Sequence, residues 1–509
     1  MQQYLRNTPP RPFTYSKSVV CKLWLVALVV LGLMALNQTA FAALLITFDQ
    51  SAYKNDVWIQ VQDPNYLSTT GTNFQATYNN GAQSISFTNP NPPGGKAIMS
   101  VPVKLSKIGP GGLNVTMSVS ALIYVFYDDP SGNSQTAPPS PFTALQRYQP
   151  FELTMTGNIP DQGDLTAIDC FTALLSITSY DAPGTQLQHV GWGTASAAQI
   201  GRQFKQVAVF GGKASPVVKN ASGKTIRYIG PSKFDPSNPQ NKPMPWPSFI
   251  PYTKSIYNAN KGTHIFNQNS FDPQNRYNYT FGADMMLTAN PDGSLTITSK
   301  ITATSTPTTD PNLPQNGYWD DSGVPGGNPW SISAADSDSF NYAIYAQTRN
   351  ATAVVIDETK SPYSDFKTFC NSIPGLAGAY NTTLDLIVGE ATGAVLFGYA
   401  NSSVLYNGTP IGDMDSRDWW KMNPVIAFSD LQPSHSNPPF YSAYGDVIYR
   451  NSNNGVYGAP YSDRFKQAIN SPLINSVSYN SQNVAKWVIG IGAPLPGTKA
   501  LPGMLLLLM

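Results

Sequence analysis

Phe151-Glu152-Leu153-Thr154-Met155-Thr156, then Gly157-Asn158-Ile159-Pro160-Asp161-Gln162-Gly163-Asp164, then Leu165-Thr166-Ala167-Ile168-Asp169-Cys170-Phe171: this stretch decides how the chain is read. The first six residues alternate, so Phe151, Leu153 and Met155 share one face and Glu152, Thr154 and Thr156 the other. The middle eight are turn-forming by composition. The last seven form an apolar strand carrying one carboxylate. An antiparallel hairpin centred between Pro160 and Asp161 sets Glu152 opposite Asp169. Directly opposed Cβ atoms lie about 5 Å apart. Two like charges at that distance repel, and a polar ligand between them supplies a purpose.

Outward from this hairpin the text stays β-rich. ALLITF, SISFTN, AIMSVPVKLS and LNVTMSVSALIYVFY, between Ala43 and about Asp128, alternate or are β-branched and stop at Gly, Pro or Asn. YNYTFGADMMLTA and SLTITSKITAT, within 276–303, form a hairpin joined by Asn290-Pro291-Asp292-Gly293. Ser196 to Val209 and about Pro362 to Tyr406 are helical candidates, and Pro231 to Pro251 is a proline-rich loop. Phe440 to Phe465 reads as a strand or short helix, an Asn-Asn-Gly turn and a strand running into a loop. No repeat of 20–50 residues is present.

Composition narrows the function. Of 509 residues only 12% are charged, with a formal net charge of +1. A near-neutral chain lacks the basic stripe that binds nucleic acid and the charge that would hold an acidic polymer. Aromatics reach 12%, including 27 Tyr and 9 Trp, which suits a neutral polar ligand as well as it suits β cores. The three histidines, His189, His264 and His435, are scattered, so neither a metal nor another cofactor is expected. No serine-esterase, nucleotide-binding or Cys/His nucleophile motif occurs.

Residues 1–42 read as a signal peptide. Arg6, Arg11, Lys17 and Lys22 precede the apolar run Leu23–Leu36, and Thr39-Ala40-Phe41-Ala42 ends in a small-x-small cleavage pattern. The rival reading, an uncleaved anchor, is disfavoured because the run is shorter than a span of about 20 residues. The mature chain is therefore expected outside the cell or in the periplasm, free of the membrane and monomeric. It would keep Cys170 and Cys370, either bridged or as two buried thiols.

Two acidic patches stand apart. Asp320-Asp321 beside Trp319, with Asp336-Ser337-Asp338, could hold calcium, although a solvated loop is the plainer reading. Asp413, Asp415, Arg417 and Asp418 beside Trp419-Trp420 could stack a sugar, or form a loop anchored by ion pairs, which is the favoured reading.

A resemblance now becomes visible. Phe151-Glu152-Leu153-Thr154, followed by Thr166-Ala167-Ile168-Asp169-Cys170-Phe171, is similar to the paired strands of the family 64 glycoside hydrolases, which are β-1,3-glucanases. Tyr444 to Arg450 and Gly455-Val456-Tyr457-Gly458-Ala459-Pro460-Tyr461-Ser462-Asp463-Arg464 resemble a late block of that family, and Phe366 to Cys370 a shorter one. The chain departs from the pattern at Thr172-Ala173-Leu174, at Tyr449-Arg450 and at Ser462. The resemblance implies a β-rich α+β fold, with a thaumatin-like β-barrel or sandwich domain packed on a smaller α/β domain across a wide cleft. It implies Glu152 as general acid and Asp169 as general base of an inverting endo-type hydrolase, Thr154 and Thr166 as sugar ligands, and Tyr461 and Asp463 on the far wall. The partner would be β-1,3-glucan. The rivals are a non-catalytic glucan-binding protein on this scaffold and a secreted β-sandwich interaction protein.

With these expectations the chain divides at 43–195 (β domain with the acid hairpin), 196–275 (α/β domain, first part), 276–345 (hairpin and insertion), 346–490 (α/β domain, second part) and 491–509 (tail).

Overall fold

In the computed structural model the described residues are 43–63, 73–87, 98–155, 162–208, 215–234, 245–271, 279–305, 316–320, 330–334, 359, 363–373, 376–422, 442–452, 455–459, 476–478 and 484–496. Segment 1–42, read above as a signal peptide, the late-block residues Tyr461 and Asp463, and Asp321, Asp336 and Asp338 lie outside them.

A 13-stranded mixed sheet dominates. Its main path runs Gln186–Gly191, Ala173–Asp181, Val484–Pro494, Leu44–Asp49, Leu113–Phe126, Tyr148–Met155, Gln162–Leu165 and Ser476–Ser478. The first strand pairs parallel with Val484–Pro494, Leu45 against Lys486 through Asp49 against Gly490, and antiparallel with Leu113–Phe126. The boundary drawn at residue 490 thus falls inside a strand of the main sheet, and Leu44–Met509 forms one compact unit. The driving force is apolar: one face buries Leu44, Ile46, Leu113, Val115, Ile123, Phe151, Leu153, Ile489 and Trp487 completely. The sheet curls until Trp487 lies against Gly163, where a Cβ would stand 2.3 Å from the indole Cη2. No closed barrel forms among the described strands, because Gln186–Gly191 and Ser476–Ser478, the two ends of the path, do not pair with each other.

Leu113–Phe126 is broken by a bulge between Ser118 and Ala121, with Ser120 at φ 49°. Two side-chain bonds hold it: Ser118 Oγ donates to the Leu153 carbonyl at 2.6 Å, and the Ser120 N–H donates to Thr154 Oγ1 at 3.1 Å.

A second, five-stranded sheet contains Thr263–Phe271, Tyr279–Ala289, Leu295–Ser305, Asn316–Asp320 and Trp330–Ile332. Its central hairpin follows the expected Asn290–Gly293 turn, with Gly293 at φ 90° and Tyr279 opposite Ser305. Helices Tyr363–Ser372 and Ala377–Leu396 fall in the expected helical stretch. Phe366 packs edge-on to Phe281 at 5.5 Å and tilted against Tyr380 at 5.4 Å, joining helices to sheet.

Helix Ala197–Val207 begins at a capping box in which Ser196 and Gln199 each bond the other's backbone. Its buried stripe is Ala197, Ile200, Gly201 and Phe204, and Phe204 stacks on Tyr444 at 4.8 Å. Tyr444 belongs to helix Ala443–Ser452, which resolves the strand-or-helix alternative for this segment. Within the proline-rich stretch, Pro231–Lys233 forms a 3₁₀ turn and Ile250–Ser255 a short helix. Pro251 sits in that helix's first turn, where a missing N–H costs nothing. Among the described residues no helix is long and apolar enough to cross a membrane. Cys170 and Cys370 are separate buried thiols.

Candidate functional site

The strand Tyr148–Met155 pairs antiparallel with Gln162–Leu165 in a register that sets Glu152 opposite Asp164, Leu153 opposite Gly163 and Thr154 opposite Gln162. The expected opposition of Glu152 and Asp169 is therefore incorrect. The two strands meet about Asn158 rather than between Pro160 and Asp161, and the chain bends away after Thr166, so Asp169 leaves the ladder. The corrected register removes a conflict of the simple hairpin, which put Thr154 and Thr166 on opposite faces. Even-numbered residues now share a face, and Glu152, Thr154, Gln162, Asp164 and Thr166 are all half-buried on it.

This face stands on a dry floor. Phe151, Leu153, Met155 and Leu165 point the other way into the core, and Gly163 admits the Trp487 ring beneath the ladder. Along the same polar face, beyond Glu152, lies a covered aromatic cluster of Tyr124, Phe126, Tyr148, Met99 and Cys170. The Tyr124 and Tyr148 rings meet edge-on at 5.6 Å, and Tyr124 Oη donates to Gln62 Oε1 at 2.8 Å.

Asp169 precedes Cys170, a member of this aromatic cluster. Burial raises the phenol pKa values of Tyr124 and Tyr148 above their ordinary value, and the negative charge of Asp169 adds to both shifts. The Asp169 carboxylate is 38% exposed and pairs with Lys233 Nζ at 2.8 Å. Ser232 Oγ lies 3.4 Å from its Oδ1 and donates to the Ile168 carbonyl at 3.1 Å. Both partners come from the 3₁₀ turn Pro231–Lys233. Next to Asp169, burial pushes the Cys170 thiol up to about 11.

Buried polar side chains fix the segment between the two acids. Gln149 Nε2 donates to the carbonyls of Thr166 (2.6 Å) and Cys170 (3.3 Å), and its Oε1 accepts the Thr172 N–H at 2.9 Å. The fully buried Arg227 guanidinium lies 4.1 Å over the Tyr148 ring and donates to the carbonyls of Pro141, Ala144 and Gln146. The late block converges here as well. The Tyr457 N–H donates to the Leu165 carbonyl at 2.6 Å, the Ala167 N–H to the Tyr457 carbonyl at 2.8 Å, and Tyr444 Oη to the Ala167 carbonyl.

The structure thus sets Glu152, Thr154 and Thr166 on one face of the ladder, and Asp169 lies beyond its end, paired with Lys233. The reading of the sequence overlooked Asp164, taken for a turn residue, and Lys233 and Arg227, which no local pattern marks. Parity was the usable signal for Asp164: two threonines meant for one ligand must share a face, which only an even register sum allows. Thr154 is also partly committed, since its oxygen accepts the Ser120 N–H.

The Asp413–Asp418 patch is an anchored loop. Asp413 pairs with Lys261, Asp415 with Arg417 and Asp418 with Lys421. Trp419 and Trp420 are buried, and their indole nitrogens donate to the Ile411 carbonyl and Glu390 Oε2, each at 2.9 Å. Among the described residues no cluster of three or more His, Cys, Asp or Glu is placed to hold a metal.

No protein-family model and no curated protein matches the sequence. Among solved structures the chain is similar to a family 64 β-1,3-glucanase domain from Clostridium beijerinckii, with a TM-score of 0.42 and 12% identity over 90% of this chain and 99% of that one. It is also similar to a laminaripentaose-producing β-1,3-glucanase in complex with laminaritetraose, with a TM-score of 0.41 and 12% identity over 89% and 99%.

Proposed function

We propose that this chain is an exported polysaccharide hydrolase acting on β-1,3-glucan at the Glu152 face. The observation that carries the proposal is a half-exposed row of acids and hydrogen-bonding side chains, rigidly floored by core, on a protein of almost no net charge. A neutral sugar chain meets there hydroxyl and amide partners and carboxylates able to exchange protons. The choice of β-1,3-glucan rests on the sequence resemblance around Glu152 and Asp169.

Glu152 is the proton donor and Asp169 the base. As the glycosidic C–O bond breaks, Glu152 gives its proton to the departing oxygen. Asp169 takes a proton from water, and that water attacks the anomeric carbon from the opposite face. Asp164 stands directly across the ladder from Glu152. Inversion needs the two working carboxyls roughly 6.5–9.5 Å apart to admit the water. The role of base is therefore assigned to Asp169 and not to Asp164, which stands directly opposite Glu152. Thr166 and the Thr154 hydroxyl hydrogen bond the sugar.

The test is release of reducing ends from laminarin, with the first-formed anomer read by proton NMR. The expected product is the α-anomer. A first-formed β-anomer would move the nucleophilic role onto a carboxylate closer to Glu152, Asp164 foremost.

A second reading is favoured by one observation. Asp169 is already engaged by Lys233 and Ser232. If that grip never loosens, the face binds glucan without cleaving it, and laminarin is retained with no sugar released.

A further inference from the structure

On the main sheet, away from the acid ladder, a trough of about 240 Å³ opens over the strands Leu44–Asp49, Val484–Pro494 and Ala173–Asp181. Its floor is nearly bare backbone. Gly490 and Gly492 alternate along the C-terminal strand on the face opposite the core, where Ile489 and Ile491 are buried. A Cβ at Gly490 would stand 2.3 Å from Ser176 Oγ, and one at Gly492 2.9 Å from Leu174 Cβ. The side chains of Ser176 and Leu174 thus lean across the space a Cβ would fill, which only glycine leaves open.

One wall is the half-buried indole of Trp192, held edge-on against Phe171 at 5.0 Å. The rim carries short polar groups: Ser176, Ser51 and the Asp49 carboxylate, whose two oxygens accept the Ser51 N–H at 2.8 Å and the Ser51 hydroxyl at 3.1 Å. None of these residues belongs to the Glu152 ladder. A floor lined by two glycines, a half-buried indole and a rim of short polar groups suit a ligand with one apolar face and an equatorial belt of hydroxyls. That ligand is a pyranose ring.

We propose that this trough is a second glycan-binding site, which stacks one sugar ring of a neutral β-glucan on Trp192 and hydrogen bonds it from Asp49 and Ser176. A hydrolase or binding protein with such a site keeps hold of the polymer while the Glu152 face works on another stretch of it.

The test uses the full chain carrying Glu152→Gln, labelled with 5-fluorotryptophan, and laminarihexaose as probe. The Trp192 resonance is identified by its loss in Trp192→Phe. It is expected to shift saturably on titration. Ala52→Leu, which crowds the exposed rim without touching the core, is expected to weaken that titration by about tenfold or more. A Trp192 resonance that stays fixed while laminarihexaose is added, or one that moves identically in Ala52→Leu, overturns the proposal. The two readings separate cleanly. A saturable Trp192 shift, together with an unsubstituted chain that releases no sugar from laminarin, removes the hydrolase and leaves the trough. Hydrolysis beside an unresponsive Trp192 does the reverse.

Discussion

Replacing Gly163 by Ala probes the join between the acid ladder and the core. The added Cβ would sit 2.3 Å from Trp487 Cη2 and 2.6 Å from the carbonyl oxygen of Glu152. Carbon atoms normally rest about 3.5–4.0 Å apart, so the indole or the ladder must move by about 1 Å or more. Neither yields cheaply. Trp487 is completely buried, and the other obstacle is the backbone of the acid-bearing strand. Overpacking of this kind costs about 1–3 kcal/mol, and with a rigid partner on both sides the upper half of that range is expected. Equilibrium urea unfolding reads the loss, and laminarin hydrolysis reads the displacement of Glu152 from Asp164. Gly132→Ala is the control: a Cβ there meets nothing within 4 Å and the backbone is not in the left-handed region, so its effect stays within about 0.5 kcal/mol. If Gly163→Ala is as stable as Gly132→Ala, the packing described for Trp487 beneath the ladder is wrong.

Three further outcomes follow from the same geometry. Arg227→Met leaves the carbonyls of Pro141, Ala144 and Gln146 without their donor and is expected to cost roughly 3 kcal/mol, read by thermal melting. Asp446 is buried, and that burial raises its carboxyl to about 6 despite Arg450 beside it. A raised acid binds its proton more tightly in the folded state, so its contribution to stability is full below about pH 4 and disappears as pH rises through about 6. In Asp446→Asn that slope, up to about 3 kcal/mol between those limits, is expected to vanish from urea midpoints measured across the window. Cys170 and Cys370 are buried thiols raised to about 11 and about 12, so neither is expected to react with iodoacetamide at pH 8 until denaturant is added, as judged by peptide mass spectrometry.

Local chemistry made much of the fold legible in the sequence. The helix expected from Ser196 to Val209, the Asn290–Gly293 turn and the alternation of Phe151–Met155 each rest on interactions within a few residues, and each appears where the residues call for it. The strand register was not legible, because a count of residues across a turn does not say where the turn pivots. A shift from a centre beyond Pro160 to Asn158 replaced Asp169 by Asp164 as the partner of Glu152. Long-range partners were equally hidden. Lys233 reaches Asp169 across 64 residues of chain, and Val484–Pro494 finds Leu44–Asp49 from the opposite end of the sequence. Only the assembled sheet supplies those pairings. The indoles of Trp419 and Trp420 show the opposite hazard: beside four charged residues they read as a surface patch, yet both are buried and hydrogen bonded inward.

The most direct measurement is the rate at which Glu152→Gln releases reducing ends from laminarin, compared with the unsubstituted chain and with melting curves showing both folded. The side chains are nearly equal in size, and only the exchangeable proton is lost. The predicted result is active parent protein and a fall of about 10²–10⁴-fold in the variant. Turnover within a few-fold of the parent would contradict the assignment of proton transfer to this face.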